Sequence, residues 1–142
     1  MESESLESLE RLEILERFEI RLGETSRALE TFRQIIDEPY STIVRDAAIQ
    51  RFEYTFEALW KLLKEYLKVH DGLICNSPKT CFREAFSTGI LSEDEAVAFL
   101  EMTDMRNLTS HTYKEDVSQM IYEKLADYYS LMAKLMMKMK FE

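Results

Sequence analysis

Glycine and proline are scarce in this sequence, which contains three glycines and two prolines among 142 residues. Tight turns and left-handed backbone conformations depend heavily on these two residues. A β fold with many hairpins is therefore excluded, and the breaks between elements must be few and short. With 46% hydrophobic and 32% charged residues, the composition predicts one folded domain over residues 1–142.

Cysteine is also rare, because Cys75 and Cys81 are the only two in the chain. Two cysteines are too few for a disulfide framework, so we predict reduced thiols, as in a cytoplasmic protein. Ligand types alone would allow a zinc site made of His70, Cys75, Cys81 and His111. This spacing matches no usual zinc pattern, and the sequence predicts neither a metal nor another cofactor.

Long apolar runs are missing as well. No stretch approaches the ~20 apolar residues that cross a bilayer. The acidic start "MESESLESLE" lacks the basic and apolar parts of a signal peptide, so we expect no membrane association and a cytoplasmic location. The formal net charge of −9 argues against a protein that binds nucleic acid over its whole surface. It leaves room for a small basic site or for a basic partner.

Most of the chain has apolar residues at helical spacing. Short local signals mark the helix starts: Ser77 precedes Pro78, and Ser92 with Glu95 forms a capping-box pattern. The predicted helices cover about residues 6–36, 42–71, 77–88, 92–110 and 115–139. Because four are long, one is short and the connections are short, we predict an all-α, up-and-down four-helix bundle with an additional short helix.

Three apolar stripes are predicted to face the core of this bundle. In the first helix they are Leu6, Leu9, Leu12, Leu15, Phe18, Leu22, Leu29 and Phe32; in the second Ile43, Ala47, Phe52, Phe56, Leu59, Leu63 and Leu67; in the last Val117, Ile121, Leu125, Tyr128, Met132, Leu135 and Met139. The methionines of the last helix, among them Met136 and Met137, suit either a core or a subunit contact.

The stretch "RNLTSHTY", residues 106–113, interrupts these apolar patterns with small and polar residues. Since "TSHT" contains no strong helix former, the fourth helix is predicted to end here. On a straight helix Arg106 and His111 would be about 140° apart, so they converge only if the helix ends or bends, or if two copies meet. Together they could cleave a phosphodiester without a metal, since arginine binds phosphate and histidine transfers protons. Alternatively, His111 is a helix-end histidine beside the negative end of the helix dipole.

A second polar feature lies on the second predicted helix. Lys61, Lys64 and Lys68 follow i, i+3, i+7 spacing and form one basic face on an acidic protein. This face is either a contact for a phosphate or a partner protein, or a solvated helix flank. Trp60, the only tryptophan, is predicted to be a core residue.

Three stretches, "AAIQRFEYTFEALWKLLKEYL", "SPKTCFREAF" and "MRNLTSHTY", follow one another in the order of a known family. Together they resemble the nucleotidyltransferase substrate-binding proteins of the HEPN superfamily, to which the HepT toxins of MntA–HepT toxin–antitoxin pairs are related. The resemblance covers residues 42–120, and "RNLTSHTY" fits the signature R-x4-H-x-Y without a gap.

The resemblance implies a HEPN-like helical bundle that forms a homodimer, with two copies of the motif lining one cleft. It implies that Arg106 and His111 are the catalytic pair of a metal-independent ribonuclease acting on RNA, with Asn107 as the polar residue that follows the arginine. It also implies a small MntA-like nucleotidyltransferase as partner, which adds AMP to Tyr113 and silences the toxin.

The sequence therefore predicts a HepT-like endoribonuclease toxin controlled by a cognate nucleotidyltransferase. One alternative is a non-catalytic subunit that binds substrate or nucleotide for such a transferase. Another is a structural helical protein whose motif is vestigial. The intact Arg–His–Tyr set favours the ribonuclease over the structural protein, whereas the net acidity slightly favours the binding subunit, because a ribonuclease must attract a polyanion.

Overall fold

The chain folds into five α-helices and one 3-10 turn in the computed structural model, which describes residues 2–140 and the side chains of residues 5–140. The helices are α1 (Glu2–Ile36), α2 (Thr42–Asp71), α3 (Pro78–Ser87), α4 (Glu93–Leu108) and α5 (Glu115–Lys140), and the 3-10 turn is Thr109–His111. The four long helices form an up-and-down bundle, while the short α3 packs against α2 and α4. This arrangement confirms the predicted fold class.

The helix starts follow the local signals in the sequence. Ser77 precedes Pro78, and its hydroxyl accepts a hydrogen bond from the backbone N–H of Thr80 at 3.3 Å. Before α4 the capping box is complete, since Ser92 accepts from the backbone of Glu95 and the Glu95 carboxylate accepts from the backbone of Ser92. Each cap satisfies backbone N–H groups that the first helical turn leaves without partners.

The core is rich in phenylalanine and methionine. Phe82 of α3 stacks on Phe99 of α4 with ring centroids 4.7 Å apart, which fixes the short helix on the bundle. The α5 stripe is buried as predicted from Ile121 onward. Its buried members are Ile121, Leu125, Tyr128, Met132, Leu135 and Met139, together with Met136. Most of the terminal methionines are thus core residues, and Met137 stays half exposed. Within residues 2–140, no helix carries an apolar stretch long enough to cross a membrane.

The N-terminal part of α1 does not bury its leucines. Leu6, Leu9, Leu12 and Leu15 are exposed, so the prediction that they face the core is wrong. Phe18 packs against Tyr66 of α2, with ring centroids 6.2 Å apart. Because the two helices run antiparallel, the end of α2 at Asp71 lies opposite about the thirteenth residue of α1. The preceding part of α1 extends beyond the helix that would cover it.

The first turn of α2 also differs from the prediction. Ile43 is 81% exposed, although its spacing placed it in the core stripe. It precedes the fully buried Phe52 by nine residues, about two and a half helical turns, and therefore lies on the opposite side of α2. Ala47 is half-buried, and the core face of this turn is formed by Ala48 and Ile49 instead.

Cys75 and Cys81 form a disulfide, so the prediction of reduced thiols is wrong. The loop before α3 and the first turn of α3 fold back on each other, which brings the two Cα atoms to 5.3 Å. Both cysteines are buried. The four residues considered as zinc ligands do not assemble, and within residues 2–140 no group of three or more His, Cys, Asp or Glu side chains could hold a metal ion.

Candidate functional site

The segment around Arg106 and His111 is the end of a helix, as the sequence predicted. α4 ends at Leu108, and the chain then forms the 3-10 turn Thr109–His111. Hydroxyl groups add hydrogen bonds to the last carbonyls of the helix: Thr109 Oγ1 lies 2.7 Å from the Arg106 carbonyl and Ser110 Oγ lies 3.1 Å from the Asn107 carbonyl. The Arg106 carbonyl also accepts from the backbone N–H of Thr109, so small polar residues tighten the chain where the helix ends.

Arg106 is held by two carboxylates of α2. Its Nε donates to Glu57 Oε1 at 2.8 Å, and its Nη1 lies 3.5 Å from Glu53 Oε2. Among the described residues, no hydrogen bond uses Nη2 of Arg106. The side chain is thus oriented on α2 through Nε and Nη1, and Nη2 remains available to donate to an anion.

Thr109 completes this arrangement. Its hydroxyl lies 2.9 Å from Glu53 Oε2 and 2.7 Å from the Arg106 carbonyl. The 3-10 turn is therefore attached to the same α2 carboxylate as Arg106. Sequence reasoning did not find Glu53 and Glu57, whose signal was a pair of acidic residues at i, i+4 just before the basic stripe.

His111 and Tyr113 lie together at the surface. His111 is exposed, and its Nδ1 lies 3.5 Å from the Tyr113 hydroxyl. The two rings meet edge to face with centroids 6.0 Å apart. Tyr113 is 76% exposed, and the Lys114 ammonium lies 5.9 Å from its ring centroid. Both the imidazole and the phenol can therefore meet a large substrate or a partner protein.

The remaining predicted site residues are distributed more widely. No hydrogen bond or ion pair joins Arg106 to His111 within residues 5–140, and the exposed Asn107 side chain makes none there either. Lys64 and Lys68 line a groove near the C-terminal end of α2, whereas Lys61 lies one turn earlier, outside it. The structure thus does not combine these lysines with the Arg–His motif in one cluster.

A second contact with α2 fixes the segment that follows the motif. The buried Arg45 donates two hydrogen bonds to Glu115, at 2.7 and 3.0 Å, at the first residue of α5. These bonds hold the pKa of the Glu115 carboxyl below its usual range. The residues from Arg106 to Glu115 are therefore anchored to α2 at both ends, with His111 and Tyr113 exposed between the anchors.

The similarity of this chain to known proteins extends over nearly its whole length. A family described as nucleotidyltransferase substrate binding protein like matches residues 4–141. The chain belongs to this family. A protein of Thermus thermophilus with a solved structure is 44% identical, with a TM-score of 0.79 over 81% of this chain and 98% of that chain. The family match thus includes α1 and the rest of α5, whereas the resemblance seen in the sequence covers only residues 42–120.

Two further relatives are informative. The "Probable ribonuclease HepT" of Haemophilus influenzae is 32% identical over 96 residues, 61% of this chain. The matched region spans 64% of the length of that curated relative. A HEPN toxin of Shewanella oneidensis, tri-AMPylated and in complex with an MNT antitoxin, superposes with a TM-score of 0.71 at 13% identity, over 88% of this chain and 97% of that one. The fold is therefore that of HEPN proteins, which confirms the resemblance seen in the sequence.

Proposed function

We propose that this protein is a metal-independent endoribonuclease toxin of the HepT type, with residues 1–142 acting as one HEPN domain. The observation that carries this proposal is an uninterrupted R-x4-H-x-Y motif in which Arg106 is held by α2 carboxylates and His111 is exposed. The relatives whose names mention a ribonuclease and a toxin support the same chemistry.

In the proposed reaction, Arg106 binds the scissile phosphate of RNA through Nη2, the guanidinium nitrogen that Glu53 and Glu57 leave available. His111 takes the proton from the ribose 2′-hydroxyl, and the resulting oxygen attacks the phosphorus. The bond from phosphorus to the 5′-oxygen breaks, which leaves a 2′,3′-cyclic phosphate. The departing 5′-oxygen receives a proton from His111 of a second copy, acting as the general acid. Asn107, exposed next to Arg106, would contact the same phosphate.

Control of the site is proposed to come from a nucleotidyltransferase that adds AMP to Tyr113. The phenol is exposed and 3.5 Å from His111 Nδ1, so a transferase can reach it and its modification changes the reaction site directly. The antitoxin bound to the modified Shewanella toxin supports a nucleotidyltransferase-type partner.

A second candidate function is a non-catalytic subunit that binds substrate or nucleotide for a nucleotidyltransferase. The family description supports this function, and so does the pairing of Arg106 with two carboxylates. Those carboxylates reduce the positive potential that RNA would meet at the motif.

Incubation of end-labelled RNA with the purified protein, in excess EDTA and without a transferase, separates the two functions. The ribonuclease proposal expects cleavage to cyclic-phosphate ends. His111→Ala should abolish it with a nearly unchanged melting temperature, and Arg106→Ala should abolish it with retained helical content, because Arg106 also binds Glu53 and Glu57. Arg83→Ala, which removes an exposed arginine of α3, is the matched control. Absence of cleavage by the wild type, or full cleavage by either motif variant, would replace the ribonuclease with the binding subunit.

A further inference from the structure

A groove of about 200 Å³ lies between α1, the C-terminal half of α2 and the loop that precedes α3. Its position is set by the left-handed Gly72, which ends α2, and by the disulfide, which holds the loop against α3. Six residues of its lining give the groove its chemical character: Arg17, Lys64, Glu65, Lys68, Ile74 and Asn76. None of them belongs to the Arg106–His111 motif.

Three cations line this groove on a chain with a net charge of −9. Arg17 comes from α1, and Lys64 and Lys68 come from α2. Within residues 5–140, none of the three forms an ion pair, although acidic residues are abundant on both helices. Positive groups that are close together and not neutralised make the groove a site for an anion.

Glu65 lines the same groove and has one buried carboxylate oxygen without a donor. The residue is only 7% exposed, and its Oε2 accepts no hydrogen bond from the described residues. A buried, uncompensated polar oxygen is costly, and in a native protein it usually has a partner or a function. The groove therefore suits a ligand that brings hydrogen-bond donors as well as negative charge.

These two requirements together select the chemistry of the ligand. A bare polyanion would be repelled by Glu65, and a simple amine would be repelled by Arg17 and the lysines. A sugar phosphate carries an anionic ester and neighbouring hydroxyl donors in one molecule. The exposed Ile74 at the rim adds an apolar surface on which a base can lie, and the adjacent exposed Asn76 can bind its polar edge.

We propose that this groove binds one ribonucleotide unit, with its phosphate between Arg17, Lys64 and Lys68 and its ribose hydroxyls donating to Glu65. The unit belongs either to a free mononucleotide or to an RNA chain. Lys64 lies on the same face of α2 as Glu57, seven residues or about 10 Å further along the helix. An RNA strand could thus occupy both the groove and the motif. The inference goes beyond the ribonuclease proposal and does not depend on cleavage.

Isothermal titration at low salt tests the site. The probes are AMP, deoxy-AMP, inorganic phosphate and a short RNA, the last measured on the full-length His111→Ala protein. AMP is expected to bind about tenfold more tightly than deoxy-AMP, because one hydrogen bond to a charged acceptor is lost. Lys64→Ala with Lys68→Ala should weaken AMP binding at least about tenfold, since two charge-assisted contacts disappear.

The controls use neighbouring positions of α2. Lys61→Ala removes the same charge from the same stripe outside the groove, and should change AMP affinity less than about twofold. Glu65→Ala should abolish the preference for AMP over deoxy-AMP, and Glu65→Gln, which keeps the side-chain shape, should reduce it. The preference is the ratio of the AMP and deoxy-AMP affinities of the same protein. Partial unfolding would weaken both affinities and therefore would not produce this result.

Binding of AMP without RNA would support the site with a free nucleotide as its ligand. Binding of RNA that AMP displaces would support it with an RNA chain as the source. The proposal is overturned if neither AMP nor RNA binds, if phosphate binds as tightly as AMP, or if Lys61→Ala weakens binding as much as the double lysine variant. An unchanged preference for AMP in Glu65→Ala would also overturn it.

Discussion

Arg106 and Glu57 are joined by a hydrogen bond of 2.8 Å between Nε and Oε1, across 49 positions of the chain. This bond fixes the guanidinium that the proposed reaction requires, but it also places a negative charge close to the phosphate-binding Nη2. Glutamine removes this charge and keeps one acceptor oxygen for Arg106, while its amide nitrogen replaces Oε2, which accepts from the Trp60 indole at 3.1 Å.

Glu57→Gln is therefore expected to lower KM for RNA about threefold, as about 0.7 kcal/mol of repulsion across roughly 6 Å of solvated space disappears. Glu57→Ala should instead lower kcat, because Arg106 loses its orienting partner. Steady-state cleavage kinetics measure both effects. Glu10→Gln, which removes an exposed charge from the N-terminal part of α1, should change neither parameter. Weaker RNA binding by the Glu57→Gln protein would contradict the proposed repulsion between the Glu57 carboxylate and the RNA phosphate.

A dimer is expected, because one Arg106–His111 pair supplies a single proton-transfer group and the reaction needs both a base and an acid. Light scattering at micromolar concentration should give twice the 16.8 kDa of one chain. We expect the segment 100–113 to lie at the contact, with the C-terminal end of α5 as a second contact region. A monomer mass would exclude a site shared between two copies.

Mixed dimers provide a sharper measurement of the same prediction. A dimer of one wild-type copy and one His111→Ala copy contains a single His111 imidazole, so the proposed reaction loses either its base or its acid. Differently tagged, co-purified mixed dimers should therefore be nearly inactive if both copies supply a histidine to one site. Retention of about half of the wild-type activity would show instead that each chain acts alone.

The sequence predicted those features of the molecule that depend on neighbouring residues. Ser77–Pro78 and Ser92–Glu95 start their helices as expected, because capping involves residues within one turn of each other. The end of α4 was also predicted, since the small polar residues after Leu108 bind the helix carbonyls locally.

Features that depend on distant elements were not predictable in the same way. A stripe that contains Leu6 shows that a helix has an apolar face, but not whether another helix is long enough to cover it. The contact between Glu53 and Arg106 joins two helices that are far apart in the chain, and the i, i+4 spacing of Glu53 and Glu57 marks an acidic face without indicating its partner. The disulfide was missed for a related reason. The number of cysteines does not show whether two of them can reach each other, because this depends on the turn of the chain between them.

Reduction of the Cys75–Cys81 disulfide should destabilise the protein moderately. The bond closes a short loop of about seven residues, for which the loss of chain entropy in the unfolded state corresponds to about 2 kcal/mol. For a chain of this size, that corresponds to a fall of roughly 5 °C in melting temperature. Calorimetry of Cys75→Ser with Cys81→Ser, compared with the wild type with and without reductant, measures it. Equal melting temperatures in all three samples would mean that the bond contributes nothing.

Glu95 should make stability depend on pH in the acid range. The backbone N–H of Ser92 donates to its carboxylate at 2.8 Å, and Lys134 and Lys138 lie at 3.2 and 3.4 Å, which together lower the pKa of Glu95 to about 2. A depressed folded-state pKa adds stability above the ordinary value near 4.5, and this stability is lost as pH falls toward about 2.

Glu95→Gln should therefore lower the free energy of unfolding at pH 7 by at most about 3 kcal/mol. The difference from the wild type should shrink between about pH 4.5 and about pH 2. Thermal melts across this range measure it. Glu93→Gln, an exposed first-turn carboxylate of α4 with no ion pair among the described residues, provides the control. A Glu95→Gln deficit that persists unchanged at pH 2 would show that packing is lost rather than the interactions of the carboxylate.

Tyr113 should be the residue through which the site is silenced, because its exposed phenol lies 3.5 Å from His111 Nδ1. Addition of AMP there would place a phosphate and a nucleoside directly beside the imidazole. The new phosphate would compete with RNA for Nη2 of Arg106, and the nucleoside would fill the space of the substrate. Silencing would then require no refolding, because Glu53 and Glu57 keep Arg106 in place in both forms.

Mass spectrometry after incubation with the cognate transferase and ATP should find AMP on Tyr113. Tyr113→Phe should keep ribonuclease activity and escape silencing, whereas Tyr40→Phe, at another exposed tyrosine, should still be silenced. Because the modified protein retains its fold, its melting temperature should stay within a few degrees of the unmodified value, about the effect of a substitution on the surface. If the transferase still silences the Tyr113→Phe protein, the silencing modification is on another residue. Tyr113 would then be only an exposed neighbour of His111.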